Sequence, residues 1–258
     1  MLCYTPSPRP EVRVIDSAAM PLARRIDGRI GEAVERGLTP QIILDLDGTL
    51  FDNVPRTKRI LGDEAARLFG DDASITRVIG GMAESDFEYN PVDTLRKHGV
   101  TDEATLERLR EAWAGRFFGS EYLLLDAPLS GAVDAARSWW RRGAELNYLT
   151  GRHVPEMFVG TCRSLDEAGF PVGTVRTQLL MKPAFDLDDI AFKIDTIPDI
   201  RRKGPVVLLV DNDPRVLNPL SALLPDAISV MVRTLHPKDA PAPAERIALV
   251  NDFRELLA

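Results

Sequence analysis

Short runs of branched apolar residues alternate along this chain with segments whose apolar positions recur every three or four residues. Gln41-Ile42-Ile43-Leu44, residues 144–149, 206–210 and 228–232 read as strands, and residues 177–181 as a shorter one. Between them the period changes. Leu22, Ile26, Ile30, Val34 and Leu38 recur every fourth residue and predict an amphipathic helix, punctuated by Gly37 and Pro40. Further helices are predicted from Ser130 to Arg142, from Pro155 to Ala168, from Pro214 onward, where proline suits a first turn, and from Ala244 to Leu257. Strands without polar alternation, each followed by a helix, predict an α/β fold: a Rossmann-like parallel sheet sandwiched by helices. Chemistry belongs at the carboxyl ends of such strands.

Residues 53–122 break this rhythm. Ile60, Ala65 and Leu68 mark one helix, and Val92, Leu95 and His98 a shorter one. Leu106, Leu109, Trp113 and Phe117 form the stripe of a third, starting at the capping run Thr101-Asp102-Glu103-Ala104. The expected organisation is a core of residues 1–52 and 123–258 with a helical cap at 53–122. Inserted directly behind the first strand, that segment would form a lid over the site; the plainer alternative is one more packed helical layer. Residues 1–20, rich in proline and serine with a short apolar alternation at Val12 and Val14, are expected to lie over the surface.

Composition narrows the partners. The 258 residues are 45% apolar and 28% charged, and no apolar stretch approaches the roughly 20 residues a membrane helix needs. The first ten residues lack a secretory pattern, and two cysteines, Cys3 and Cys162, make no disulfide framework, so a reduced, cytoplasmic protein is expected. A net charge of -7 without a basic run argues against bulk nucleic-acid binding, while a small phosphorylated substrate, recognised locally, stays compatible. Oligomeric state leaves no sequence signal.

Asp45 and Asp47 close the first strand, two residues apart and followed by Gly48-Thr49. Residues i and i+2 of an extended segment point the same way, so both carboxylates can reach one spot, where a divalent cation or a shared proton would offset their repulsion. Asp45 has the character of a nucleophile and Asp47 that of an acid/base beside it. Two more strands end in Thr150-Gly151-Arg152 and Asp211-Asn212-Asp213-Pro214. Phosphoryl transfer unites the three: an aspartate attacks phosphorus, Mg²⁺ neutralises the phosphate oxygens, a hydroxyl and backbone N–H groups bind one of them, and a lysine offsets the crowded negative charge. Arg152 could reach substrate or pair with a carboxylate. His153 lacks a partner at metal-ligand spacing, Trp139 and Trp140 read as helix packing, and Cys162 has no case as a nucleophile.

Asp45-Leu46-Asp47-Gly48-Thr49, Leu149-Thr150-Gly151-Arg152 and Asp211-Asn212-Asp213-Pro214 resemble the first, second and fourth motifs of the haloacid-dehalogenase-like (HAD) hydrolases, the last in the Asp-Asn-x-Pro form of some phosphatase branches. The resemblance runs from about Gln41 to Val232 and is weakest through the helical insert. It implies a phosphomonoesterase requiring Mg²⁺, with Asp45 as nucleophile, Asp47 as acid/base and Thr150 on the phosphate. The metal would be held by Asp45, Asp47, Asp211 and Asn212, with either Asp211 or Asn212 as the direct ligand of the last pair and Asp213 behind them. The site lysine is Lys193, in a short segment leading to the fourth motif, with Lys182 as second choice and Lys203 a solvated turn residue. A sugar phosphomutase, a nucleotide or polynucleotide-end phosphatase and an inactive scaffold are the rival readings. Arg56, Arg77, Arg96 and Arg116 in the insert are candidates for a second anionic group on the substrate.

Overall fold

The computed structural model describes residues 20–70 and 73–257. The expectations for Val12, Val14 and the rest of the proline-rich start, and for Cys3, lie outside the described residues. Helix α1 (Leu22–Glu35) leads into β1 (Gln41–Leu44), the short strand β2 (Phe51–Asp52), and then α2 (Val54–Phe69), α3 (Ala73–Gly81), α4 (Pro91–Lys97) and α5 (Glu103–Phe117). The chain returns through β3 (Ala127–Pro128), α6 (Ala132–Arg141), β4 (Glu145–His153), α7 (Val154–Ala168), β5 (Thr177–Lys182) and α8 (Asp189–Lys203). It closes with β6 (Val206–Asp211), α9 (Pro214–Leu223), β7 (Ile228–Val232) and β8 (Ala248–Val250).

Six strands form one sheet in the order β5-β4-β1-β6-β7-β8, every pair parallel. From β1 the chain builds outward to β4 and β5, then crosses back to β6 on the other side. Strand order therefore reverses at β1, and a crevice opens at its carboxyl end, where open α/β sheets bind ligands. The two faces are covered separately. Ile42 and Leu44 pack with Ile26, Ile30, Ala136, Trp139 and Leu165 of α1, α6 and α7. Ile43 points the other way, to Ile197, Ile200, Leu217 and Leu220 of α8 and α9. Burial on both faces is what lets Ile42–Leu44 of β1 and Val206–Val210 of β6 run apolar without alternation.

The insert has an apolar cluster of its own, in which Leu61, Ala65, Ile79, Leu95, Leu106 and Leu109 pack together. Asp102 caps α5 by accepting from Thr105 N, as the Thr-Asp-Glu-Ala run predicts.

Several element expectations need correction. Ala244–Leu257 is not a helix. Val250 pairs with Val232 in the edge strand β8, and Phe253–Leu256 make a short 3-10 turn capped by Asp252. The edge of β7 offers backbone partners that outweigh a three-to-four spacing too short to hold a helix by itself. Lys193 does not sit in a short connecting segment but in the 15-residue helix α8, capped by the Asp188 carboxylate on Ala191 N, with Ile197 and Ile200 facing the core. Helix α1 stops at Glu35, because Gly37 turns the chain at φ 72°, which leaves Leu38 outside it; Val34 and Leu38 are exposed, and the buried face of the helix is Ala23, Ile26, Ile30 and Ala33. Helix α3 was not anticipated. Trp139 and Trp140 are packing residues as expected, Trp139 buried and Trp140 donating its indole N–H to Val175 O.

Candidate active site

Backbone pairing of β1 with β6 extends to Asp45, whose N–H donates to Val210 O. The chain then folds back tightly: the N–H groups of Thr49, Leu50 and Phe51 all converge on Leu46 O. Gly48 sits at φ 74°, and a Cβ there would overlap the Asn212 amide. That position requires glycine both for its backbone conformation and for the closeness of the fourth-motif loop. Thr234 Oγ1 donates to Gly48 O at 2.5 Å and fastens the turn from the β7 side.

The turn presents Asp45 to a cavity of about 970 Å³ lined by Asp45, Asp47, Gly151, Lys193, Asp211 and Asn212, and across from them by Phe87, Tyr89, Trp113, Phe117 and Phe118 of the insert. Lys193 Nζ lies 2.7 Å from Asp45 Oδ1 and 2.8 Å from Asp211 Oδ2. All three are buried. Burial alone would depress the lysine, but Asp211 and Asp45 hold it protonated, with its pKa above the usual lysine range. Lys182 is elsewhere: its ammonium donates to Phe185 O and Leu187 O and pairs with Asp189. Lys203 ends α8 and pairs with Glu145.

Asp45 Oδ2 and Asn212 Oδ1 both face one hydroxyl, Thr49 Oγ1, at 3.0 and 3.2 Å. One hydroxyl proton serves one acceptor at a time, so this spot holds a surplus of oxygen lone pairs. Asn212 cannot turn its nitrogen inward, because Nδ2 is committed to Leu235 O. Asp211 is committed too, with Oδ2 on Lys193 and Oδ1 on Asp213 N. A carboxylate and an amide oxygen sharing one corner suit a hard divalent cation that keeps several waters. Among the described residues no group of three or more His, Cys, Asp or Glu side chains is arranged to hold a metal.

Asp47 occupies a different environment. Its Oδ1 accepts from Asn53 Nδ2 at 2.8 Å, Arg56 Nη2 at 2.9 Å and Arg152 Nη2 at 2.7 Å, and its Oδ2 from Arg152 Nε at 2.9 Å. The ring of charge is closed by Asp126, whose Oδ2 takes Arg152 Nη2 at 2.8 Å and whose Oδ1 lies 3.0 Å from Arg56 Nε. The latter contact is an ion pair without hydrogen-bond angles, so both of its atoms lack a hydrogen-bonded partner. Burial works to raise Asp47, but Arg152 and then Arg56 outweigh it and hold the carboxyl far below its usual range. Asp45 moves the opposite way. Burial, opposed by Lys193 and reinforced by Asp211, pushes it up to about 7.

This has a measurable consequence. The folded chain holds the Asp45 proton more tightly than the unfolded chain, about 7 against an ordinary 3.8. Stability in the presence of a chelator should therefore fall as pH rises between those values, and Asp45→Asn should flatten the slope. Urea unfolding of both proteins at pH 5 and pH 7 measures the difference; equal slopes would contradict it.

The remaining residues singled out in sequence divide clearly. Thr150 is fully buried within β4, which runs on through Gly151 and Arg152 to His153; its Oγ1 accepts from Arg152 N at 3.2 Å and does not line the cavity. Arg152 pairs with carboxylates. Arg56, a candidate for a second anionic group on the substrate, is completely buried beneath Phe117, with its guanidinium 3.9 Å from the ring centre. Arg96 pairs with Glu103 and Arg116 with Glu64 and Glu121, and neither these nor Arg77 line the cavity. His153 is buried against Phe185. Cys162 is a free thiol in α7, raised by burial. Sequence reasoning gave no role to Asp126 or Thr49. Nothing near Asp126 marks it, and Thr49 was legible only as part of the first motif.

No helix among the described residues is long and apolar enough to cross a membrane. No protein-family model matches the chain, and no curated protein matches it in sequence. Solved structures do. A candidate phosphatase from Clostridium difficile is 12% identical with a TM-score of 0.55, over 83% of this chain and 95% of its own. A HAD-superfamily hydrolase, subfamily IA, variant 1, from Geobacter sulfurreducens is 15% identical with a TM-score of 0.51, over 84% and 94%. A predicted phosphatase from Clostridium acetobutylicum is 13% identical with a TM-score of 0.50, over 85% and 96%. At these identities the likeness concerns architecture, and it agrees with what the three strand-end motifs imply: the chain has the fold of the HAD-superfamily hydrolases.

Proposed function

We propose that the chain is a Mg²⁺-dependent phosphomonoesterase working through an aspartyl-phosphate on Asp45, with a small phosphorylated substrate enclosed between the core and a helical cap at residues 53–122. The observation that carries this reading is Lys193 Nζ held between Asp45 and Asp211 on the floor of a large cavity, at the point where strand order reverses. A buried ammonium there offsets charge on an incoming phosphate and leaves Asp45 a nucleophilic oxygen.

An Asp45 oxygen attacks phosphorus as the bond to the substrate's leaving oxygen breaks, and that oxygen takes up a proton. Water then attacks phosphorus, gives its proton to a base, and inorganic phosphate leaves with Asp45 restored. Asp47 would be that base, but the guanidinium groups that keep it ionised also weaken it as a proton acceptor, so it must loosen from them in this step. To act as the acid in the first half it must loosen from Arg152 and Arg56, since a carboxyl clamped by two guanidinium groups keeps no proton to give. Asp45 and Asn212 would hold the magnesium ion, with Asp211 locking Lys193 in place. When bound, the ion supplies charge neutralisation on the phosphate oxygens. Gly151 lines the cavity and Thr150 does not, so phosphate binding at this strand end falls to the backbone, with the Thr150 hydroxyl supporting the turn.

The test is phosphate release from phenyl phosphate, abolished by EDTA and restored by Mg²⁺. Hydrolysis indifferent to EDTA would remove the metal from the mechanism, and no release from any phosphomonoester would remove the mechanism itself.

A further inference from the structure

Four cations line the cavity: Arg152, Lys193, Arg215 and Arg233. Three are already paired with carboxylates. Arg152 is bound to Asp47 and Asp126, Lys193 to Asp45 and Asp211, and Arg215 to Asp213 at 2.6 Å. Arg233 differs. Among the described residues its side chain makes no ion pair and no hydrogen bond, and Arg233 is exposed and lines the cavity.

Its backbone, by contrast, is fixed. Arg233 follows β7 directly, and its N–H donates to Val250 O at 2.8 Å. The next residue, Thr234, is bonded to Gly48 O, and Leu235 O accepts from Asn212 Nδ2. Residues 233–235 thus hold one segment against the Asp45 turn and the fourth-motif loop together. That segment carries a long unpaired cation that lines the same cavity as Asp45.

The acidic side chains nearby do not claim it. Glu88 is paired with Lys97 and Lys238, Asp189 with Lys182, and Asp52 and Asp188 accept backbone N–H groups at helix starts. We infer that Arg233 is a specificity-determining residue that pairs with a second oxyanion, a carboxylate or a second phosphate, on the phosphomonoester substrate. This inference rests on the phosphomonoesterase reading. The wall formed by Phe87, Trp113, Phe117 and Phe118 receives the apolar part between the two anionic groups. An oxyanion meets a guanidinium through two parallel N–H donors, and such charge-assisted pairs are among the stronger polar contacts.

Three probes of one shape separate the possibilities: phenyl phosphate, 4-carboxyphenyl phosphate and 1,4-phenylene bisphosphate. The wild-type protein is expected to prefer one or both doubly anionic esters over phenyl phosphate in kcat/KM, mainly through KM. Arg233→Ala lowers that preference ratio by about tenfold or more, and Arg233→Lys keeps part of it. Which ester loses more tells carboxylate from phosphate. A ratio equal in wild type and Arg233→Ala overturns the inference. Equal losses on all esters would mean Arg233 serves the transferred phosphate, and no losses would mean it is merely solvated.

The same ratio is measured as binding affinity by calorimetry in an Asp45→Asn background, with and without Arg233→Ala. If the wild type hydrolyses neither the probes nor any other phosphomonoester, the phosphomonoesterase reading falls, and the calorimetric ratio still decides whether Arg233 selects a second anion.

Discussion

Asp45→Asn should lower phosphate release by about a thousandfold or more, because removing a covalent nucleophile leaves only binding and electrostatics to act on the ester. The fold should survive. Asparagine has the same shape, Thr49 Oγ1 keeps an acceptor, and Lys193 keeps Asp211 at 2.8 Å. Lys193 loses one of its two carboxylates but keeps Asp211, so the melting temperature should stay close to the wild-type value. Phosphate assays beside thermal melts give both numbers. A second measurement makes the result specific: acid-quenched wild-type protein should carry substrate-derived phosphate, and the variant none. An Asp45→Asn protein with a tenth or more of the original rate would rule out covalent catalysis at this residue.

The largest expected effect on stability lies away from the nucleophile. Asp126→Asn should destabilise the fold by about 3–5 kcal/mol, since it leaves two buried guanidinium groups with one carboxylate fewer. Asp126 and Arg56 are fully buried and Arg152 nearly so, and water cannot take over the lost charge. For a chain of this size the loss corresponds to a Tm lower by roughly 10 °C. The damage should reach the active site as well, because Arg56 and Arg152 also clamp Asp47. Replacing an exposed pair such as Arg59 and Asp63 on α2 should change stability by less than about 1 kcal/mol. Chemical unfolding of the two variants side by side checks the contrast. Similar small losses in both would show that the cluster is internally compensated.

The ion cluster also separates what local sequence can express from what it cannot. Asp47 was legible as an acid/base because it stands two residues beyond Asp45 on an extended segment, and that relation is local. Its actual partners come from α2, from the end of β4 and from the residue before β3, positions 56, 152 and 126. No periodicity links them. Arg56 looks in sequence like any cation on an amphipathic helix, and only packing beneath Phe117 makes it a buried group bound to Asp47.

Lys193 gives the intermediate case. A lysine before the last motif strand was expected from the chemistry, and choosing it over Lys182 came from its place in the chain. Why it works is a matter of helix geometry: α8 packs on the sheet so that Ile197 and Ile200 enter the core while Lys193 projects at its edge toward Asp45. The Asp188 cap that starts this helix is a local signal in the sequence, whereas the edge strand after Ala244 is concealed within a helical spacing.

The sequence by itself determined the parallel α/β sheet, the three polar strand ends and the pairing of two aspartates on one turn, because strand burial, side-chain alternation and the Gly48 turn are short-range consequences of residue order. Tertiary structure alone decided which charges neutralise one another: Asp47 clamped, Lys193 shared, Thr150 buried outside the cavity lining and Arg233 on that lining without an ion pair among the described residues. Electrostatic partners are chosen by proximity across the fold, and proximity between residues a hundred positions apart is written in no local pattern.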